Sequence, residues 1–430
     1  FLHYNSCEGE IMKRFFKWLF SSLLVVIIFG AVALFLPLKI KDVPLKNIYK
    51  YYFREIFSNN PFYFVINKPE IINSYISEDE DKNYYLNLDF INVEIDELNA
   101  IYIDNVKYND FTITADNLHP SISFLIIIDF ENSDKKEITV NKFILNNKTF
   151  KTNKTIVVHK AIDNNIINLK KESVIAIETS YGSFFSPSRA WGSGVVFLEK
   201  ETLNHFGNTI FEYYIITNYH VIRGNKNKTI FDKNSYTIYY DNMNGKISNN
   251  NIELLGYAFN KTDLAVLKVT LREQLLKALD DDQFTTYIPN TTAENEIVFA
   301  IGSPAVGDDY DFNQVKIGNV ISTDALVKLK DEKEICQGGG CHALQTTAIQ
   351  GKGSSGGGVF DRDGNLVGIH FAGDDEAKTS SEIPMNIVLK VIKELLNPQE
   401  ENYLLKPYYQ LLKEFKKAPN LSLLPYNQLH

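Results

Sequence analysis

The sequence predicts a mainly β protein: a small β-sandwich-like region over residues 60–160, then a barrel-like all-β unit over 165–397 that ends in one helix. Three observations predict it. Before residue 160, short apolar stretches alternate with clusters of Asn, Asp and Lys, the spacing of short strands joined by turns. After it, glycines stand between β-branched runs, as in barrels of tightly turned strands. A single apolar series at helical spacing, residues 386–396, stops before Asn397-Pro398.

At 430 residues the chain exceeds one average domain, and length alone allows roughly two to four. Residues 1–11 precede Met12 and are expected to be an upstream artefact without function. Residues 12–39 read as an export segment. Lys13, Arg14 and Lys17 are followed by an uncharged run from Trp18 to Leu38, and about 20 apolar residues cross a bilayer. Ala31-Val32-Ala33 resembles a signal-peptidase site, so two readings stand: an uncleaved membrane anchor, or a signal peptide cut near Ala33. The further apolar run Leu34–Leu38 favours the anchor. Both place the rest of the chain outside the cytoplasm, at the cell envelope, because the basic flank stays inside.

Residues 40–60 lead into the first β region, whose strands are expected at Tyr84–Phe90, Ala100–Ile103, Ser121–Phe130, Glu137–Leu145 and Thr155–His159. The acidic run Glu78–Asp81 reads as a solvated loop, since consecutive side chains diverge instead of converging on a metal. In the second region, strands are expected at Val174–Ile177, Gly194–Leu198, Ile215–Ile216, Leu264–Val269 and Val298–Ile301. Residues 398–430 read as a tail. Charge is mildly acidic, 53 Asp and Glu against 44 Lys and Arg. With no long basic block to meet a phosphate backbone, nucleic acid is excluded as a partner.

Three segments carry chemistry. In Ile215–Ile222 a buried strand runs into His220. In Thr262–Val269, Asp263 stands just before an apolar strand. Either residue alone would read as structural. The third, Gln345–Gly358, holds Gly353-Ser354-Ser355-Gly356-Gly357. A serine that attacks an amide needs backbone N–H groups converging on the developing oxyanion, and a glycine turn supplies both the φ, ψ freedom and the room. Only Ser355 has glycine two before and one and two after; Ser354 has Lys352 two before. The chain order is His, Asp, Ser.

That order and the surrounding segments resemble the trypsin-like serine proteases of the bacterial HtrA (Deg) branch. The likeness runs over residues 170–397, in Gly192-Ser193-Gly194-Val195, Thr217-Asn218-Tyr219-His220-Val221, Asp263-Leu264-Ala265-Val266-Leu267, Ala300-Ile301-Gly302-Ser303-Pro304, Gly318–Ser322, Gln345-Thr346, Gly353–Gly357 and Ile383-Pro384-Met385-Asn386. The resemblance implies a chymotrypsin-like double β-barrel, protein or peptide substrates and no cofactor or metal. It implies that Ser355 is the nucleophile, His220 the general base, Asp263 the orienting carboxylate, and the N–H groups of Gly353 and Ser355 the oxyanion hole.

Several departures matter. HtrA proteins carry PDZ domains after the protease, and the residues beyond Leu396 are too few for one. Ser354 replaces the aspartate that pairs with a newly cut N-terminus in digestive proteases, so that activation is not expected. Gly358 replaces a usual proline and is expected to loosen the loop. At the base of the primary pocket stands Ile349, which disfavours Arg or Lys at P1. The pocket strand holds His370, Phe371, Ala372 and Gly373, resembling glutamyl endopeptidases and some viral proteases. An imidazole there can bond a P1 carboxylate or carboxamide, so Glu or Gln at P1 is the expectation. Gln350 stands where the glutamyl enzymes have a hydroxyl, and His370 as a packed strand residue is the competing reading. Cys336 and Cys341 can close a small disulfide in an oxidising compartment or remain two thiols; a zinc site lacks ligands at the right spacing.

Overall fold

The computed structural model describes residues 39–40, 43–44, 70–79, 81–91, 98–115, 120–128, 130, 133–145, 148–183, 186–223, 235–258, 262–279, 292–306, 309–329, 335–336, 340–348, 350–374, 379–396 and 406–407. The expected export segment lies outside them, apart from Lys39. Among the described residues no helix is long and apolar enough to cross a membrane. The chain divides into two compact units, Phe1–Glu70 and Ile71–His430. Of the first, the described part is a two-stranded pair, β1 (Lys39–Ile40) and β2 (Val43–Pro44).

The second unit begins with two four-stranded sheets. One takes β3 (Glu70–Glu78), β4 (Tyr84–Ile91), β7 (Thr112–Ala115) and β8 (Pro120–Leu125) in the order β3-β4-β8-β7. The other takes β5 (Leu98–Ile103), β6 (Val106–Tyr108), β9 (Lys135–Leu145) and β10 (Lys148–His159) in the order β10-β9-β5-β6. Leu86, Leu88 and Phe90 alternate along β4 and are buried, as the period-two geometry of a half-buried strand requires. They meet Ile101, Val140, Phe143 and Val158 of the other sheet in one core, with Phe90 and Phe143 edge to face at 5.4 Å. Strand β3 was not expected: Asn73 and Ser74 are buried in its middle and interrupt the apolar alternation.

A short helix, α1 (Asn164–Lys171), follows, capped by Asp163, whose side chain accepts from the Asn165 N–H at 2.8 Å. Next come β11 (Val174–Ser183), β12 (Ser186–Leu203), β13 (Thr209–Thr217), helix α2 (Tyr219–Arg223), β14 (Ser235–Tyr240), β15 (Gly245–Ser248), β16 (Ile252–Ala258) and β17 (Leu264–Leu271). They form one antiparallel sheet, β15-β14-β11-β12-β13-β17-β16, extended at its edge by β26 (Lys406–Pro407) from the expected tail.

The last sheet is a closed six-stranded barrel, β18-β21-β22-β25-β24-β23, made of β18 (Ile297–Gly302), β21 (Gln314–Val327), β22 (Cys341–Thr346), β23 (Gly358–Asp361), β24 (Leu366–Asp374) and β25 (Thr379–Pro384). A small pair, β19 (Ala305–Val306) and β20 (Asp309–Tyr310), follows β18. Strand β18 is buried on both faces: Val298 and Ala300 cluster with Val320, Val359 and Val367, while Phe299 and Ile301 join Ile215, Val266 and Ile369 in the larger core. That explains its unbroken apolar run. Helix α3 (Met385–Leu396) buries Ile387, Val388, Val391 and Ile392, the helical spacing read from sequence.

Candidate active site

His220 sits on the first turn of α2, three residues after β13 ends at Thr217. Asp263 stands just before β17, the strand paired with β13, so adjacent strands of one sheet deliver the two residues together. Asp263 is fully buried. Its Oδ2 lies 2.5 Å from His220 Nδ1, and its Oδ1 accepts from the His220 main-chain N–H at 3.0 Å. Asn218 locks the same corner by donating from Nδ2 to the Asp263 carbonyl at 2.8 Å. The His220 side chain remains 22% exposed, with its ring held on the Nδ1 side by Asp263.

Ser355 lies in the turn between β22 and β23, clamped against β12 by a single residue. Ser193 donates its N–H to the Ser355 carbonyl at 2.6 Å and its hydroxyl to the Gly353 carbonyl at 3.0 Å. Ser193 Oγ accepts in turn from the Ser303 N–H at 2.9 Å. Thr217 donates to the Ser193 carbonyl at 2.6 Å, which ties this clamp to the segment that carries His220. Gly356 explains why the turn needs glycine: its φ is +90°, and a Cβ there would stand 2.0 Å from the Ser193 carbonyl oxygen.

The peptide groups of the turn are also fixed. The Lys352 carbonyl accepts from the Ala305 N–H at 2.5 Å, and the Ser354 carbonyl from the Gly357 N–H at 2.9 Å. In a trans peptide the N–H points opposite to its C=O. The N–H groups of Gly353 and Ser355 are therefore turned away from Ala305 and Gly357, and neither donates to a main-chain partner among the described residues. Gly353 adopts φ +99° to reach this conformation. Gly358 is not loose: it opens β23, pairs with Ile301 and Ile369, and is buried. Ser354 is buried beneath the turn.

Of the residues expected in the primary pocket, Ile349 lies outside the described residues. Gln350 is buried, its main-chain N–H donating to Ser380 Oγ at 3.3 Å. His370 is bonded through its backbone to the glycine turn that follows Ser355, its carbonyl accepting from Gly356 N–H at 2.8 Å and its N–H donating to the Gly357 carbonyl at 2.9 Å. It is 3% exposed; burial first, and the His220 imidazole second, lower its pKa to about 3. Phe371 buries its ring in the larger core, Ala372 is half-buried, and Gly373 is exposed at the strand tip. Cys336 and Cys341 form a disulfide with Cα atoms 5.0 Å apart. Among the described residues no group of His, Cys, Asp and Glu is arranged to hold a metal ion.

Sequence reasoning missed Glu382. It faces His370 across β24 and β25, is fully buried, and has its pKa raised well above the usual carboxyl range by burial, the Thr346 hydroxyl opposing in part. A lone acid between Ser381 and Ile383 was the available signal. Ser193 was quoted within Gly192–Val195, without its role as a clamp.

Residues 192–369 match the trypsin-like peptidase domain family. The chain is similar to the serine protease HtrA-like proteins of Staphylococcus aureus strains MRSA252 and USA300, each 28% identical over 238 residues, 52% of this chain and 26% of the relative. It thus spans about a quarter of the length of these curated relatives. Among solved structures, the serine endoprotease from Yersinia pestis aligns with a TM-score of 0.37 and 23% identity, over 54% of this chain and 66% of the other. Deg5 aligns at 0.39 and 22%, over 55% and 94%. Residues 192–369 of the chain thus match the trypsin-like peptidase domain family, and about half of the chain is similar to HtrA-like serine proteases.

Proposed function

We propose that the protein is a serine endopeptidase that hydrolyses peptide bonds of proteins or peptides through an acyl-enzyme intermediate. Ser355 attacks the scissile carbonyl, and His220 takes its proton and returns it to the leaving amine. Asp263 fixes the imidazole tautomer and stabilises the imidazolium that forms. The N–H groups of Gly353 and Ser355 stabilise the tetrahedral oxyanion, in peptide groups whose orientation is already fixed. Water then releases the acyl group by the same steps in reverse roles.

The observation that carries this reading is the buried carboxylate of Asp263, bonded to His220 at two points, beside a glycine turn clamped to the same sheet by Ser193. A structural histidine needs no buried carboxyl bonded to both its ring and its main chain. His370, bonded to the nucleophile turn, supports Glu or Gln at P1. The uncharged run from Trp18 to Leu38 after a basic flank supports membrane attachment at the cell envelope, with the peptidase outside the cytoplasm. We further propose that residues 60–160 and 165–397 act as a spacer or recognition region and a peptidase region.

Turnover of a mixed peptide library by the full chain, wild type against Ser355→Ala, tests the reading. Cleavage that vanishes in the variant supports it; no cleavage by the folded wild type favours a binding or chaperone-like protein on a peptidase fold.

A further inference from the structure

The chain that leaves β22 for the nucleophile turn is held at Thr347, Ala348 and Gln350. It crosses β21 at Gly318, so closely that a Cβ there would stand 2.2 Å from the Ala348 nitrogen and 2.7 Å from its Cα. Thr347 is fastened to Asn319 twice: its N–H donates to the Asn319 carbonyl at 2.9 Å, and its hydroxyl accepts from the Asn319 N–H at 2.8 Å. Ala348 is fully buried and clusters with Val298, Ala300 and Val359 of the barrel. Gln350 and Ser354 both pack on Gly302, where a Cβ would meet Gln350 Oε1 at 2.6 Å and Ser354 Cβ at 2.7 Å. Close packing transmits small displacements, so a shift at Thr347 is felt at the turn.

Thr347 also meets the sandwich. Its hydroxyl donates to Asn73 Oδ1 at 2.8 Å, and the same oxygen accepts from Asn319 Nδ2 at 3.2 Å. Asn73 is fixed in turn by its own donors: Nδ2 reaches the Ile317 carbonyl at 2.8 Å and Asp89 Oδ2 at 2.9 Å, and Asp89 Oδ1 accepts from Ser121 Oγ. A buried amide is costly unless its hydrogen bonds are made, and an apolar residue would fill the same place on β3. The bonds of Asn73 run to β21 and to the residue that opens the approach to Ser355.

We propose that Asn73 is a positioning residue for catalysis: a side chain of the sandwich that, through Thr347, holds the turn bearing the Gly353 and Ser355 N–H groups in register with His220. The inference rests on the endopeptidase reading above and goes beyond a spacer or recognition role for the sandwich. Donors aimed at a developing oxyanion act on the transition state, so their misplacement lowers kcat more than it weakens substrate binding. A second joint between the two regions supplies the control. Arg362, in the turn at the other end of β23 from Ser355, pairs with Asp134 at 3.3 Å and donates to the Lys160 carbonyl.

The test uses the full chain and a peptide whose cutting depends on Ser355, at a temperature where circular dichroism shows every variant folded. Fluorophosphonate labelling counts reactive serines, so that kcat is expressed per active site. Asn73→Ala should lower kcat per site about tenfold with KM changed less than about twofold, and should slow labelling to the same degree. Thr347→Val, which removes the hydroxyl, should do likewise, and Thr347→Ser should restore activity. Because Asn73 acts through that hydroxyl, the double variant should fall little below Thr347→Val alone. Arg362→Gln should leave kcat unchanged.

A purely structural Asn73 would give fewer reactive serines with wild-type kcat in each, and that result overturns the proposal. So does an additive loss in the double variant, a Thr347→Ser as poor as Thr347→Val, or an equal loss in Arg362→Gln. Should Asn73→Ala fail to fold, the two Thr347 variants alone decide. Wild-type cutting with full kcat in Asn73→Ala overturns this inference and leaves the endopeptidase standing; absence of any Ser355-dependent cutting by the wild type overturns both.

Discussion

Asp263 holds His220 at two points, the ring Nδ1 2.5 Å from Oδ2 and the main-chain N–H donating to Oδ1 at 3.0 Å. The second bond fixes the carboxylate even where the first is altered. Asp263→Asn therefore keeps the fold while presenting the wrong partner to Nδ1, and should lower kcat by about ten-thousandfold with little change in KM. Steady-state kinetics with an unchanged melting temperature would bear this out.

Gly356 has a different vulnerability. Alanine there would need φ +90° and would place Cβ 2.0 Å from the Ser193 carbonyl oxygen and 2.4 Å from Thr217 Oγ1. Overpacking of this kind costs about 1–3 kcal/mol, and relief requires the turn to leave Ser193. Gly356→Ala should lose nearly all activity and lower the melting temperature, whereas Gly207→Ala, at an exposed turn with open space around it, should leave activity unchanged.

His370 makes stability depend on pH with a definite sign. Its folded pKa is depressed from 6.5 to about 3, so the unfolded chain binds the proton first as pH falls. The contribution is fully present above about pH 6.5 and is lost progressively down to about pH 3, about 5 kcal/mol across the window at ~1.4 kcal/mol per pH unit. Glu382, raised by burial, has the opposite sign: its contribution is present below the ordinary carboxyl range and lost as pH rises. Urea unfolding between pH 7 and pH 4 should therefore show a flatter acid limb in His370→Phe than in the wild type.

The sandwich is joined to the barrel by Asn73, whose hydrogen-bonding capacity is full. Its Nδ2 donates to Asp89 Oδ2 at 2.9 Å and to the Ile317 carbonyl at 2.8 Å, and its Oδ1 accepts from Thr347 Oγ1 at 2.8 Å and Asn319 Nδ2 at 3.2 Å. Thr347 lies three residues before Gln350. Asn73→Ala leaves these groups to find new partners in a buried seam and should cost about 1–3 kcal/mol, read as a lowered urea midpoint.

The sequence made visible what rests on local pattern. Leu86, Leu88 and Phe90 announce their strand by alternation, the last helix by its spacing, and the glycines around Ser355 by the geometry a nucleophile needs. What stayed hidden depends on non-local register. Strand β3 carries buried Asn73 and Ser74, polar residues whose partners lie on β4, β10, β21 and the turn after β22. Helix α1 was passed over because Asn164 and Asn165 look like loop. Glu382 gains meaning only opposite His370, and Ser193 only against the turn that holds Ser355; neither pairing follows from spacing along the chain.

The most direct test of the central claim is the reactivity of Ser355 itself. A fluorophosphonate ester phosphonylates a serine hydroxyl that is activated by a neighbouring base and oxyanion donors. Peptide mass spectrometry of the treated full chain should find one phosphonyl group, on Ser355, absent from Ser355→Ala and greatly slowed in His220→Ala. A folded protein that takes no label, or that takes it on Ser354, would contradict the account.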